Sequence, residues 1–231
     1  MRIVRALGIA LSLCLIPAST GSAAAPRATA ARVDWSRKFS VTPEGGYRIG
    51  NPAARITIVE YGSLVCPHCR HFAQTSMRPL LSGYVRTGKA SYEFRPLILS
   101  GLDIAATLVA RCSGPSRFFP IMETLYATQP TWTGRIDQEQ YAKLLNLPEG
   151  EMFVSLARLT GVTRVAAGHG IAAPRAEACL RNKAAAERLA AMTQAAEDRG
   201  VRGTPTFFVN GQRADAVDWA TLEPFLKKAG G

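Results

Sequence analysis

The chain has 231 residues, of which 47% are apolar and 19% are charged. This composition can build a packed core, which excludes wholesale disorder. The 20 glycines and 14 prolines follow no regular period, which excludes a collagen-like chain. The formal net charge is +11, but the arginines are scattered singly, unlike the clustered basic residues of a nucleic-acid-binding surface. We therefore expect no nucleic-acid partner, and one domain or one domain that carries an insertion.

The first 25 residues have the three parts of a secretory signal peptide. Arg2 and Arg5 form the positive start, residues 6–16 form an uncharged and mostly apolar run, and small residues follow Pro17. The apolar run is about half as long as the ~20 residues that a membrane-spanning helix needs, so an uncleaved anchor is the weaker alternative. We predict a cleaved signal peptide over residues 1–25 and a periplasmic mature protein.

Four cysteines follow the signal peptide: Cys66, Cys69, Cys112 and Cys179. An even number of cysteines in an oxidising compartment predicts two pairs. We predict a structural disulfide between Cys112 and Cys179, with two separate buried thiols as the alternative. Cys66 and Cys69 form a Cys-x-x-Cys motif, whose spacing also occurs in zinc sites, haem attachments and purely structural disulfides.

The residues around this motif favour redox chemistry over the other three possibilities. Structural zinc needs further Cys or His ligands at close spacing, which the sequence lacks around Cys112 and Cys179. Covalent haem attachment needs a His directly after Cys69, where Arg70 stands. A purely structural bridge over so short a loop would remove little chain entropy. We therefore expect a redox-active pair with neither a metal nor an organic cofactor.

The flanking sequence predicts that the motif joins a strand to a helix. Residues 56–61 are rich in β-branched side chains, and a helical pattern begins at Pro67, which suits a first helical turn. Cys66 would then lie at the helix N-terminus, where free N–H groups and the helix dipole stabilise a thiolate. We expect Cys66 to be the nucleophile and Cys69, one turn later and more buried, the resolving thiol. Pro67 and His68 would tune the pair, although His68 could equally be a solvated turn residue.

Glu60 precedes Cys66 by six residues and shares a strand face with Ile56 and Ile58. A carboxyl on a buried face is costly unless it has a partner or a role. Beneath the dithiol it could relay the proton of Cys69. The alternative is an ordinary strand-end glutamate that faces solvent.

A second motif, Gly203-Thr204-Pro205-Thr206, lies far downstream. Residues 206–209 read as a strand, and the following Asn210-Gly211 is a strong hairpin signal. Local statistics favour a trans bond before Pro205. A cis bond would instead present the Thr204 backbone to the active-site sulfur and to an extended substrate.

Together, Cys66-Pro67-His68-Cys69, the preceding Glu60 and Gly203-Thr204-Pro205-Thr206 resemble the DsbA family of exported thiol–disulfide oxidoreductases. The resemblance extends over residues 45 to about 230. It implies an α/β, thioredoxin-like fold with an inserted all-helical domain, a buried Glu60, a cis bond at Pro205, and substrate binding by Thr204 and Pro205. It also implies a membrane quinone-linked reoxidant of the DsbB type. Thr204 departs from the Val that many oxidases of this family carry, so the motif leaves oxidase and isomerase both open.

The domain organisation follows from the same signals. We predict a flexible N-terminal arm over residues 26–44, a thioredoxin-like domain over residues 45–100 and 191–231, and an inserted helical domain over residues 101–190. Residues 175–199 read as one long helix because apolar side chains recur at helical spacing.

The resulting hypothesis is a monomeric oxidase that donates the Cys66–Cys69 disulfide to folding, Cys-containing exported proteins. Two alternatives remain. One is a disulfide isomerase or reductase of the same fold, and the other is a periplasmic chaperone or binding module.

Overall fold

A computed structural model of the chain describes residues 33–231. The predicted signal peptide and the first part of the predicted arm lie outside the described residues. Within residues 33–231, no helix is both long enough and apolar enough to cross a membrane.

The centre of the fold is a six-stranded mixed sheet with the order β1-β2-β4-β3-β5-β6. Its two central strands, β3 and β4, are parallel, and the other neighbours are antiparallel. The strands are β1 (Phe39–Val41), β2 (Tyr47–Gly50), β3 (Ile56–Gly62), β4 (Ala90–Pro96), β5 (Thr206–Val209) and β6 (Gln212–Ala214).

Eleven α-helices are found in the described residues, and those from α3 to α10 lie between β4 and β5 in the chain. Helix α2 continues into a π-helical turn (Leu81–Val85). The helices are α1 (Pro67–Thr75), α2 (Met77–Leu80), α3 (Gly101–Arg111), α4 (Pro115–Ala127), α5 (Gln129–Thr133), α6 (Gln138–Leu144), α7 (Glu149–Thr160), α8 (Val162–Gly168), α9 (Ala173–Leu180), α10 (Lys183–Asp198) and α11 (Trp219–Lys228).

The thioredoxin-like elements form where the sequence predicts them. The β-branched run becomes β3, and the helix after it begins at Pro67. The β5–β6 hairpin turns at Asn210 and Gly211, which have φ angles of 49° and 79°. A turn with two left-handed residues matches the right-handed twist of the strands, which explains the Asn-Gly pair.

The predicted long helix over residues 175–199 is divided into α9 and α10. Asn182 stands between them in an extended conformation, and its side chain accepts a hydrogen bond from the Ala185 N–H. An asparagine in this position satisfies a free N–H of the new helix. The predicted domain boundary at residue 190 falls inside α10, which packs against both α3 and β4.

The structure also differs from the predicted flexible arm over residues 33–44. A 3-10 turn (Trp35–Arg37) leads into β1, which pairs with β2. The ring of Phe39 lies 5.8 Å from the ring of Phe119 on α4. A three-residue strand is too short to show alternation, so this part of the sheet had no periodic signal in the sequence.

Two features attach the inserted helices to each other and to the sheet. A disulfide joins Cys112, at the end of α3, to Cys179 on α9, which confirms the predicted pair. Phe118 on α4 contacts Tyr47 on β2 and Phe94 on β4, with ring-centre distances of 5.1 and 5.5 Å. The helices therefore share one core with the sheet.

Candidate active site

Cys66 lies at the N-cap of α1, four residues after the end of β3. Its Sγ atom accepts a hydrogen bond from the Cys69 N–H at 3.4 Å, and Pro67 occupies the first helical turn. The missing N–H of Pro67 costs nothing there, because the first N–H groups of a helix have no partner within it. The helix therefore directs its remaining free N–H groups at the sulfur.

The Thr204-Pro205 loop lies directly against this sulfur. The Thr204–Pro205 bond is cis, so the trans expectation from local statistics was wrong and the expectation from the resemblance was right. The Cys66 Sγ atom lies 3.3 Å from the Thr204 carbonyl oxygen. The turn is closed by a hydrogen bond from the Thr206 hydroxyl to the Gly203 carbonyl at 2.7 Å.

The two cysteines, which are unbonded in this structure, have opposite ionisation properties. The Cys66 pKa is lowered to about 5, chiefly by the hydrogen bond from the Cys69 thiol. Burial opposes this shift, while the Thr204 side chain and the N–H groups of Cys69 and His68 add to it. Cys66 is therefore a thiolate at neutral pH. Burial raises the Cys69 pKa well above its ordinary value, and the hydrogen bond to Cys66 and the charge of Glu60 raise it further.

The accessibility of the pair is also asymmetric. Cys69 has no exposed surface and Cys66 is 5% exposed, while Pro67 and His68 beside them are exposed. A partner thiol can thus reach Cys66 but not Cys69. His68 is an exposed residue in the first turn of α1. It lowers the Cys66 pKa through its backbone N–H.

Glu60 is buried, with 1% of its surface exposed. The Tyr92 hydroxyl on β4 donates a 2.5 Å hydrogen bond to its Oε2 atom. Burial raises the Glu60 pKa to about 8, although the bond from Tyr92 acts in the opposite direction. Glu60 therefore keeps its proton at neutral pH. Sequence reasoning missed Tyr92 as its partner; the signal was an aromatic hydroxyl within the run that becomes β4, the strand beside β3.

Three further residues of the site were missed because they come from the inserted helices. Asp103, Tyr126 and Gln129 hydrogen-bond to residues 63–66, the loop that ends at Cys66. Cys112 and Cys179 are bonded to each other and do not contribute a thiol to the site.

A cavity of about 270 Å³ opens beside the cis-proline. Pro205 and Thr206 line one part of it, and Arg213, Asp215 and Val217 line another. Within residues 33–231, no three His, Cys, Asp or Glu side chains are grouped in a way that could hold a metal ion. The thiols of Cys66 and Cys69 are unbonded and lie together at the start of α1.

Comparison with known proteins agrees with the fold. The family model described as "Thioredoxin" matches residues 42–228. The crystal structure of a protein-disulfide isomerase from Novosphingobium aromaticivorans superposes with a TM-score of 0.74 at 32% identity, and covers 80% of this chain and 97% of that chain. Alpha-DsbA1 from Wolbachia pipientis shares the fold, with a TM-score of 0.67 at 20% identity over 82% of this chain and 92% of that chain.

A relative from Rickettsia conorii, whose name assigns it provisionally as a protein-disulfide oxidoreductase, is 28% identical over 182 residues. The match covers 78% of this chain but only 59% of the relative. The family match, the structural neighbours and the geometry of the Cys-x-x-Cys pair lead to one assignment. The chain belongs to the thioredoxin family and has the DsbA-like form of its fold, with helices inserted into the thioredoxin-like sheet domain.

Proposed function

We propose that this chain is a protein thiol–disulfide oxidoreductase that donates the Cys66–Cys69 disulfide to exported proteins. The observation that carries the proposal is the contrast between the two thiols. Cys66 is stabilised as a thiolate, with a pKa lowered to about 5, and Cys69 is buried with a raised pKa. A stabilised thiolate favours the reduced form of the pair, and this makes the disulfide form a strong oxidant.

The first step is attack on the enzyme disulfide. A substrate thiolate attacks Cys66 Sγ, a mixed disulfide forms, and the Cys66–Cys69 bond breaks. Cys69 leaves with the electron pair and, because of its raised pKa, takes up a proton. Glu60, which is protonated at neutral pH, is the proposed source of that proton.

The second step releases the product. A second substrate thiolate attacks the substrate sulfur of the mixed disulfide, so that a substrate disulfide forms and the bond to Cys66 breaks. Cys66 leaves as a thiolate, and its low pKa makes it a good leaving group. Two electrons have then passed from the substrate thiols to the enzyme pair.

The Thr204-Pro205 loop is the proposed docking place for the substrate backbone. Its carbonyl lies 3.3 Å from the reacting sulfur, so a strand held along the loop has its cysteine beside Cys66. The cavity next to Pro205 would receive a neighbouring substrate side chain. Arg213 and Asp215, which line this cavity, carry a positive and a negative charge.

The proposal places the mature protein in the periplasm as a monomer, with a membrane quinone-linked reoxidant of the DsbB type. The support for export is the predicted signal peptide over residues 1–25, together with the disulfide between Cys112 and Cys179. Disulfides of this kind persist in oxidising compartments.

A disulfide isomerase is the second candidate, favoured by Thr204 in the cis-proline loop and by the Novosphingobium relative that carries that name. Two assays distinguish the candidates. In the first, the oxidised protein is mixed with a reduced substrate protein. In the second, the reduced protein is mixed with a substrate protein whose disulfides are scrambled. An oxidase forms disulfides stoichiometrically in the first assay and is slow in the second. The reverse order of rates would overturn the proposal. Chaperone activity that survives Cys66→Ala, without disulfide formation, would indicate a chaperone instead.

A further inference from the structure

The loop between β3 and Cys66 makes its polar contacts with the inserted helices. Residues 63–65 form this loop, and its backbone and side-chain groups are largely buried. Within it, the Cys66 N–H donates to the Ser63 carbonyl at 3.2 Å. A buried backbone group needs a partner, and here three side chains from α3, α4 and α5 supply several of them.

Asp103, in the first turn of α3, accepts the hydrogen bonds that the loop donates. Its carboxylate accepts from the Ser63 hydroxyl at 2.6 Å and from the Leu64 N–H at 3.0 Å, and also from the Leu99 N–H at 3.0 Å. The side chain is fully buried, and among residues 33–231 no cation forms a salt bridge with it. Its charge is therefore balanced mainly by hydrogen-bond donors, two of which belong to the loop.

Gln129 and Tyr126 donate hydrogen bonds to carbonyls of the same segment. The Gln129 amide donates to the Leu64 carbonyl at 2.8 Å and to the Cys66 carbonyl at 3.0 Å. The Tyr126 hydroxyl donates to the Ser63 carbonyl at 3.1 Å. Both side chains are buried. The inserted helices thus hold the loop through its donors and its acceptors, up to the carbonyl of the nucleophile itself.

We propose that Asp103, Tyr126 and Gln129 are positioning residues that fix Cys66 at the N-terminus of α1, so that the helical insertion controls the reactivity of the dithiol. The hydrogen bonds of the three side chains to this segment go to the Ser63 hydroxyl and to backbone groups of residues 63–66, and none goes to the Cys66 sulfur. The groups that stabilise the thiolate come from α1 and from the Thr204 loop. Cys66 must be held between these two elements to meet all of them.

If the three residues were merely structural, their substitution would change the stability of the protein but not the reactivity of Cys66. Loss of a buried hydrogen bond lowers the stability of a protein wherever the bond lies. A positioning residue also changes the affinity of Cys66 for its proton and the equilibrium of the dithiol with glutathione. The inference rests on the proposed function only in taking this dithiol as the reacting group. The change in Cys66 pKa and in glutathione equilibrium between variant and wild type tests the positioning role. The reduction potential of the wild-type protein tests the oxidase assignment.

The test compares Gln129→Met, Tyr126→Phe and Asp103→Asn with the control Thr160→Val. Thr160 is a buried residue of α7 whose hydroxyl donates to the Leu156 carbonyl at 2.7 Å, away from the loop. The first two variants keep the side-chain volume and add no charge, and Tyr126→Phe is the milder one if Gln129→Met fails to fold. The readouts are the thiolate absorbance of Cys66 against pH, the equilibrium with glutathione at neutral pH, and the thermal unfolding of each form.

The proposal predicts that Gln129→Met raises the Cys66 pKa by half a unit or more, which is about a threefold fall in the thiolate-to-thiol ratio. The glutathione equilibrium should shift to the same extent toward the oxidised protein, Tyr126→Phe should follow with a smaller shift, and Thr160→Val should change only the unfolding temperature. Unchanged values in the two neutral variants, with reduced stability alone, would overturn the proposal.

Asp103→Asn separates position from charge. Burial raises the Asp103 pKa to about 6, so at neutral pH it carries a negative charge. Removing that charge without moving the loop would stabilise the Cys66 thiolate and shift the glutathione equilibrium toward the reduced protein. The proposal predicts the opposite shift, because the amide nitrogen would face the Leu64 N–H or the Leu99 N–H, depending on which carboxylate oxygen it replaces. A shift toward the reduced protein would contradict it.

Discussion

The hydroxyl of Tyr92 donates a 2.5 Å hydrogen bond to Oε2 of Glu60, and both side chains are buried beneath the dithiol. The pair links the two parallel central strands of the sheet. Burial nevertheless dominates, so the Glu60 pKa is raised from 4.5 to about 8. A carboxyl that holds its proton more tightly in the folded state than in the unfolded state makes stability fall as the pH rises between those two values.

We therefore expect Glu60→Gln to remove a pH dependence of stability. Between about pH 4.5 and pH 8, the free energy of unfolding of the variant should gain on wild type by at most about 1.4 kcal/mol per pH unit. Urea unfolding of the oxidised protein at several pH values measures this without titration of Cys66. Tyr92→Phe is the matched variant, because it removes the hydrogen bond that lowers the Glu60 pKa. The Glu60 pKa should then rise, and the pH range over which stability falls should extend to higher pH. Parallel pH profiles for wild type and Glu60→Gln would contradict the account.

The low Cys66 pKa should depend on Cys69. The hydrogen bond from the Cys69 thiol is the largest cause of the shift to about 5. In the reduced protein, thiolate absorbance should rise with a midpoint of about 5 in wild type, and Cys69→Ala should move that midpoint upward. Cys66→Ala should abolish the transition, which identifies its source. A wild-type midpoint close to the ordinary thiol value would be incompatible with the proposed leaving group.

Thr204 should contribute to the same thiolate through its side chain. Its hydrogen bond lowers the Cys66 pKa, while its carbonyl contact at 3.3 Å belongs to the backbone. Thr204→Val keeps the shape and removes the hydroxyl, so the Cys66 pKa should rise. Thr204→Ser keeps the hydroxyl and should stay near wild type. An equal rise in both variants would attribute the effect to side-chain shape instead.

The disulfide between Cys112 and Cys179 should serve stability. It closes a loop with a sequence separation of 67 residues, for which the chain-entropy treatment gives roughly 4 kcal/mol. Cys112→Ala/Cys179→Ala should lower the free energy of unfolding by about that amount, measured by urea titration with the active-site pair oxidised. An unchanged unfolding midpoint would show that the helices hold together without the bridge.

The parts of this site that local sequence could predict are those set by neighbouring residues. Pro67 after Cys66 indicates a helix start, and the structure places Cys66 at that N-cap. Asn210-Gly211 indicates a tight hairpin, and β5 and β6 pair across it. In each case the backbone conformation follows from a residue type within a few positions.

The parts that local sequence could not predict depend on distant contacts. Glu60 and Tyr92 meet only because β3 and β4 lie side by side in parallel, and a single strand pattern does not reveal its neighbour. The cis bond before Pro205 was implied by the family resemblance and not by its local sequence. The local sequence around Asp103 and Gln129 gives no sign of their contacts, because the loop residue that each one binds lies 39 to 65 positions earlier.

The most direct test of the central claim is the reduction potential of the Cys66–Cys69 pair. The mature protein would be equilibrated with glutathione in the Cys112→Ala/Cys179→Ala background, so that only one couple is measured. Disulfide donation predicts a value of about −120 mV, that of a strong oxidant. A value of about −270 mV, that of a thioredoxin-like reductant, would contradict the account, because the pair would then accept electrons less readily than the substrate thiols require.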